Sequence, residues 1–231
     1  MSRLGIVCGV TAEKAALGSL ADDDRVRCAV AGASPQRAEE LAREMVEAFG
    51  CTALLSFGVS GALSEALSPG DAMVARAVVM RDGTRIEADR TWAAQLSRDG
   101  RAAGIVLKHV DMTEAADVVA DPAAKRALAR RSGAHAVDLE SGAVADVARD
   151  LGVPFSALRT VSDGVDQTLP HAALGAVGPG GDIRVANVLV RLAVRPYDLP
   201  AMIRLARGSA RGFASLRRCA RDLLPGLLGI V

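Results

Sequence analysis

Apolar and polar positions along the first forty-odd residues predict a strand, a helix and a second strand. Leu4 to Val10 is an apolar run, Thr11 is placed to cap a helix, and Val26 to Val30 is a second short run. Ser34-Pro35 fits the N-cap and first position of another helix, whose Ala38, Leu41, Ala42, Met45 and Val46 make one apolar stripe. Gly50 stops it. Thr52 to Phe57 then reads as a buried strand running into a glycine-containing loop, Gly58-Val59-Ser60-Gly61.

Asp71 to Met80 and Gly104 to Val110 read as strands on either side of a polar, Asp- and Arg-rich insertion. Asp121-Pro122 is again a cap followed by a first helical position. From Ala134 the pattern sharpens: a strand to Leu139, a helix with Val144, Val147, Ala148 and Leu151 at helical spacing, Gly152 as its stop, and a strand from Pro154 to Val161. Strands interleaved with helices imply an α/β protein with a mixed sheet covered on both faces. The expectation is one domain over residues 1–231, a three-layer α/β/α sandwich with a helical C-terminal extension. Gly178-Pro179-Gly180-Gly181 is the expected hinge or loop boundary, and residues 182–231 form a basic amphipathic helical region. No internal repeat interrupts this reading.

Composition narrows the picture. Half of the 231 residues are apolar, yet the aromatics are Phe49, Phe57, Trp92, Phe155, Tyr197 and Phe213, so the core must be built from Ala, Val and Leu. That scarcity argues against a nucleic-acid surface, which needs aromatics for base stacking. Net charge is +1, but the segment from Arg184 carries nine arginines against Asp198 and Asp222. Such a segment suits a solvated helix face or a peripheral contact with an anionic membrane. Cys8, Cys28, Cys51 and Cys219 have no metal-type spacing and read as small core residues in a reducing compartment, and no metal or resident cofactor is expected. Without a signal-peptide layout or a full membrane span, the expected location is cytoplasmic, with peripheral contact at the inner membrane as its extension.

Two carboxylates stand just beyond strand ends: Glu140 after Ala136 to Leu139, and Asp163 after Pro154 to Val161. Ligands of open α/β sheets bind outside the carboxyl ends of the strands, so both are placed where a site would form. Capping of the next helix is the plainer alternative for Glu140. Arg159 lies inside an apolar strand, where an unpaired charge is costly, so it is expected to support the site by pairing with a carboxylate. His109, His135 and His171 are scattered and form no ligand set.

Val137-Asp138-Leu139-Glu140-Ser141-Gly142-Ala143, then Val153-Pro154-Phe155, then Arg159-Thr160-Val161-Ser162-Asp163 resembles the signature of the nucleoside phosphorylase and nucleosidase superfamily, especially the methylthioadenosine and adenosylhomocysteine nucleosidases. Gly5 to Glu13 is similar to that family's first strand and acidic residue, Ser56 to Leu63 to its ribose loop, and Pro69-Gly70-Asp71 to a following turn. The resemblance covers about residues 3 to 170 and is weakest around Arg81 to Arg101.

It implies cleavage of an N-glycosidic bond through a ribosyl oxocarbenium ion. Asp163 would protonate the leaving base at N7, for which the site must raise its acidity range or share its proton strongly. An aspartate at this position favours adenine. Glu140 would hold the ribose hydroxyls, and Glu13 would orient the attacking water. Ser60, Gly58 and Gly61 would let the backbone approach the sugar, or a phosphate, and Leu139, Asp138 and Ser162 join the substrate-binding set.

The motif departs from the usual Glu-Met-Glu-Ala run, and no aromatic segment to cover the base is visible near Thr113 to Val119. The C-terminal Arg195-Pro196-Tyr197-Asp198-Leu199-Pro200, followed by Met202, Ile203, Leu205 and Ala206 among Arg204, Arg207 and Arg211, resembles the hopanoid-associated phosphorylases, which act as adenosylhopane nucleosidases. That resemblance implies a triterpenoid on the 5′ carbon and a membrane contact through the C-terminal helix. Acceptor identity stays open: Glu13 favours water, whereas a phosphate co-substrate would need an arginine such as Arg81 or Arg85. A thioether nucleosidase, or a non-catalytic nucleoside-binding scaffold, are the other readings, and a homodimer is the expected assembly.

Overall fold

In a computed structural model the chain is described over residues 3–178, 180–182 and 184–231. The strands are β1 (Leu4–Cys8), β2 (Val26–Val30), β3 (Ala53–Ala62), β4 (Ala72–Val79), β5 (Arg85–Glu87), β6 (Leu107–Glu114), β7 (Ala136–Asp138) and β8 (Phe155–Asp163). The helices are α1 (Thr11–Ala16), α2 (Pro35–Glu47), α3 (Arg90–Ala103), α4 (Pro122–Ser132), α5 (Ser141–Leu151), α6 (Val185–Val194) and α7 (Leu199–Leu227).

The strands run in the order β2-β1-β3-β7-β6-β4-β5, and β8 pairs with both β3 and β4. The sheet is mixed: β3 with β7 and β4 with β8 are antiparallel, as is the short β4 with β5, while the remaining pairs are parallel. Because β3 touches β7 at its end and β8 along its length, part of the sheet closes on itself.

Side chains of period two divide between the faces. Leu4, Ile6 and Cys8 pack with Trp92 and Leu96 of α3 and with Leu216, Leu223 and Leu227 of α7. Val7 packs on the other face with Leu41 and Met45 of α2 and Val144 of α5. Each such leucine or valine taken fully from water contributes about 1.5–3 kcal/mol before chain entropy is counted. These two apolar layers produce the expected three-layer arrangement.

Local chemistry sets the ends of the elements. Ser34 accepts from the Arg37 N–H at 3.3 Å with Pro35 next, and Asp121 accepts from Ala123 and Ala124 at 2.8 and 3.1 Å with Pro122 next. Thr11 does not cap α1 as expected. It is the helix's first residue, and its N–H and hydroxyl both donate to the Gly181 carbonyl, at 3.0 and 3.2 Å. That contact pins the glycine cluster expected to be a hinge onto the start of α1; Pro179 of that cluster lies outside the described residues.

The polar insertion contains β5 and the fourteen-residue α3, which starts at an Asp89 cap to the Trp92 N–H at 2.9 Å. Its buried stripe is only Trp92, Leu96 and Gly100, too thin to stand out among polar neighbours. The Gly58 to Gly61 segment is also a correction: it is not a loop but the second half of β3, in register with β8 from Gly58 opposite Arg159 to Ser60 opposite Val161, with an irregularity before Gly61.

The apolar face of α7 is divided. From Gly208 onward it is core, and Gly208 and Gly212 lie so close to β8 that an added Cβ would stand 2.5 Å from the Ser162 carbonyl oxygen and 2.8 Å from that of Val161. Thr160 Oγ1 donates to the Gly212 carbonyl at 2.9 Å, which clamps the end of β8. Among the described residues, the exposed large apolar side chains of the C-terminal region are Val190, Val194, Tyr197, Leu199, Ile203 and, at the far end, Ile230, so a membrane contact would have to use the cluster from Val190 to Ile203 and not the buried leucines. No helix among the described residues is long and apolar enough to cross a membrane.

Candidate active site

The carboxyl ends of β1, β3, β7 and β8 converge on a cavity of about 190 Å³. Glu13, Ser60, Gly61, Asp138, Leu139, Glu140, Ser162 and Asp163 all line it. The structure thus brings together expected residues that span 150 positions of sequence. Gly58 and Arg159 are not among the lining residues; they lie behind it.

Arg159 is wholly buried and organises that inner layer. Its Nη2 donates to Ser56 Oγ at 2.6 Å and to Glu140 Oε2 at 3.3 Å, Nη1 donates to the Val59 carbonyl at 3.3 Å, and Nε lies 3.3 Å from Asp138 Oδ2. Glu13 Oε1 is 4.0 Å from Nη1. One cation therefore serves three buried carboxylates. Gly58 is required where this cluster meets β3, because a Cβ there would overlap the Glu13 carboxylate and stand 2.5 Å from Arg159 Nη1.

Each carboxylate is held differently. Glu13 Oε2 accepts from the Gly9 and Val10 N–H groups at 2.6 and 3.0 Å, and Oε1 accepts from Val59 at 2.7 Å, so the residue ties the start of α1 to β3. Burial pushes its carboxyl up, against the pull of Arg159 and those three donors. Asp138 anchors the start of α5 from two residues before its cap position: Oδ1 accepts from the Glu140 and Ser141 N–H groups at 2.9 and 2.7 Å, and Oδ2 from Ser141 Oγ at 2.7 Å. Both its oxygens are engaged within the protein, so it sets the helix start and the Arg159 position. Glu140 occupies the cap position of α5 but makes no cap hydrogen bond, which leaves its carboxylate for the cavity and for Arg159.

Burial first, with Arg159 opposing and Asp138 and Glu13 adding, raises the Glu140 carboxyl to about 8. Its stabilising effect as a raised acid is therefore fully present below the ordinary glutamate range and is lost as pH rises through about 8, where ionisation adds a third buried anion beside one arginine. Glu140→Gln, which cannot ionise, is expected to remove that dependence. Between pH 5 and 8 the wild type should lose about 1.4 kcal/mol per pH unit relative to the variant, in urea unfolding. Parallel stability curves would show that Glu140 is ionised throughout.

Asp163 ends β8 and meets a residue the sequence did not single out. Lys125 of α4 is 0% exposed, and its Nζ donates to Asp163 Oδ2 at 2.5 Å, to the Gly164 carbonyl at 2.8 Å and to that of Gln167 at 3.1 Å. Ser162 Oγ donates to Asp163 Oδ1 at 2.6 Å. A faint signal existed: Lys125 stands three residues before Leu128 on the buried stripe of α4, where an apolar side chain is expected. Three neighbouring arginines in the same helix disguise it.

Ser60 Oγ is buried in the cavity wall and has no hydrogen-bond partner among the described residues, which marks it as a group for a ligand to satisfy. Ala115, Asp117, Val118 and Val119 also line the cavity, and no aromatic residue is among its described lining residues. Arg81 and Arg85 do not reach the cavity; they pair with Glu114 and with Glu87 and Asp111. No lysine or arginine, and none of the histidines, is among the described residues lining it.

A deep carboxylate set on a mixed α/β sheet, with a buried serine hydroxyl left without a partner among the described residues, suits an enzyme class that cleaves nucleosides at the N-glycosidic bond, and comparison with known proteins agrees. The phosphorylase superfamily profile matches residues 8–193, and the chain belongs to that superfamily. No curated protein matches it in sequence. Among solved structures, futalosine hydrolase of Helicobacter pylori is similar at TM-score 0.76 and 20% identity, over 100% of this chain and 98% of that one. The 5′-methylthioadenosine/S-adenosylhomocysteine nucleosidase of the same organism is similar at 0.74 and 19%, over 98% and 97%. That of Neisseria meningitidis, in complex with methylthio-immucillin-A, gives 0.75 and 14%, over 97% and 99%.

Proposed function

We propose that this enzyme hydrolyses a 5′-substituted adenosine to adenine and the free sugar, with adenosylhopane as its substrate. The observation that carries the hydrolytic reading is the charge of the cavity wall. Glu13, Asp117, Asp138, Glu140 and Asp163 line it, and no described lining residue is a lysine or arginine. A phosphate dianion would meet carboxylates without a cation, whereas water needs only an acceptor.

In this reading Asp163 protonates N7 of the departing adenine, Ser60 and Glu140 bind the ribose hydroxyls, and Glu13 orients water on the far side of C1′. Positive charge developing on the sugar is met by the carboxyl oxygens of Glu13 and Glu140, the latter as a protonated hydrogen-bond partner below about pH 8, and the dry surroundings strengthen that effect. At about 190 Å³ the cavity falls below the ~300–1,000 Å³ common for small-molecule sites, so a large 5′ group would extend through its mouth. The chain leads from the rim residue Leu169, through a short 3-10 turn at His171–Ala173, to the exposed apolar residues of α6 and α7. Arg191, Arg195 and Arg204 lie among them, a composition suited to the surface of an anionic bilayer that holds the lipid.

The second reading follows the names of the solved neighbours, a nucleosidase for methylthioadenosine or adenosylhomocysteine. Adenine release from adenosylhopane and from methylthioadenosine, each with and without phosphate, separates the two. Phosphate-independent release from adenosylhopane alone is the expected result. Release from methylthioadenosine alone would move the enzyme to the thioether nucleosidases, and a ribose 1-phosphate product would replace water by phosphate. Adenine bound but never released would return the non-catalytic scaffold.

A further inference from the structure

The Lys125–Asp163 pair poses a chemical question that the nucleosidase reading does not answer. The two side chains are 1% and 8% exposed and joined at 2.5 Å, so the resting site holds an ammonium against a carboxylate. A carboxylate cannot protonate a leaving base. Its proton has to come from a donor in contact with it, and the buried Lys125 Nζ already donates to Oδ2.

We propose that Lys125 supplies the proton that Asp163 delivers to the departing base, so that the acid of the reaction is the pair. This rests on the nucleosidase reading above. Lys125 acts through Asp163 and does not touch the substrate. Two hydrogen bonds, to the carbonyls of Gly164 and Gln167, fix its Nζ so that the third N–H points at Asp163 Oδ2. An ammonium suits the task because an amine nitrogen can give up and regain a proton, which a guanidinium does not.

The step balances without any further reactant. The ammonium proton moves to Asp163 Oδ2 and on to purine N7, while the C1′–N9 bond breaks with its electron pair passing into the ring. Lys125 is left as a neutral amine and Asp163 as a carboxylate. Water forms the new C1′–O bond and gives up one proton, which through solvent restores the ammonium after adenine leaves.

The test compares leaving groups. Wild type, Lys125→Met and Lys125→Arg are assayed on adenosylhopane, whose base needs the proton, and on p-nitrophenyl riboside, whose nitrophenolate leaves as a stable anion. Both variants are expected to lose about 10²–10⁴-fold in kcat on the nucleoside and to keep most of the wild-type rate on the riboside. Activity on the riboside is also the control for folding.

Equal losses on both substrates would overturn the inference and leave Lys125 a structural residue. Rescue of nucleoside cleavage by Lys125→Arg would overturn it too, since charge and position would then suffice without a transferable proton. A wild type that cleaves the riboside but releases no adenine would instead remove the adenosine-cleaving reading, and the inference with it.

Discussion

Asp163→Asn is expected to lower kcat for adenine release by two to four orders of magnitude with little change in substrate binding, because the amide keeps the shape but cannot take up a proton and pass it on. The structure adds a second consequence. Asparagine cannot balance the buried Lys125 ammonium, which would retain only the Gly164 and Gln167 carbonyls and a neutral amide oxygen. Removing one partner of a buried ion pair typically costs about 3–5 kcal/mol, and the remaining acceptors place this variant toward the lower end. Combining it with Lys125→Met should recover stability, since the stranded charge goes, while turnover stays low. Urea unfolding and single-turnover assays of the three variants check both parts. Unchanged turnover would exclude Asp163 as the acid, and additive stability losses would show that the pair is not coupled.

The residues that make this site differ in how plainly the sequence announced them. Glu140 and Asp163 stand at the ends of strongly apolar strands, where one-dimensional pattern and chemistry coincide. Arg159 was legible for a physical reason as well: a guanidinium within the run Phe155 to Val161 has to find an anion, and it found three. Lys125 was not, because a buried lysine on an amphipathic helix reads as one more solvated cation until the partner 38 residues away is known.

Other misreadings have the same origin. Gly58 to Gly61 reads as a loop from composition, but tertiary pairing with β8 keeps it extended, and the glycine at 58 serves to make room for the Glu13 and Arg159 side chains. Helix α3 was missed because its apolar stripe is three residues wide at most. Asp138 lines the cavity as expected of a substrate-binding residue, and its oxygens also hold the start of α5 and Arg159, which the sequence pattern does not show. Sequence pattern locates carboxylates at strand ends, and only the fold tells which of them is left free.

That division of labour makes Arg159 the most consequential side chain outside the cavity. Arg159→Met keeps much of the buried volume but leaves Glu13, Asp138 and Glu140 without a cation, at the position where β8 pairs with Gly58 of β3. The expected loss is about 3–5 kcal/mol at pH 7, a large share of the ~5–15 kcal/mol that holds a domain folded. Its pH dependence has a definite sign. Without the guanidinium, burial holds the Glu13 and Glu140 carboxyls protonated to still higher pH than in the unfolded chain, so stability must fall more steeply with rising pH than in the wild type. Urea midpoints at pH 6 and pH 8 should therefore show a larger deficit at pH 8. A deficit that is equal at both, or absent, would mean that Arg159 contributes through packing alone and that the three carboxylates do not depend on its charge.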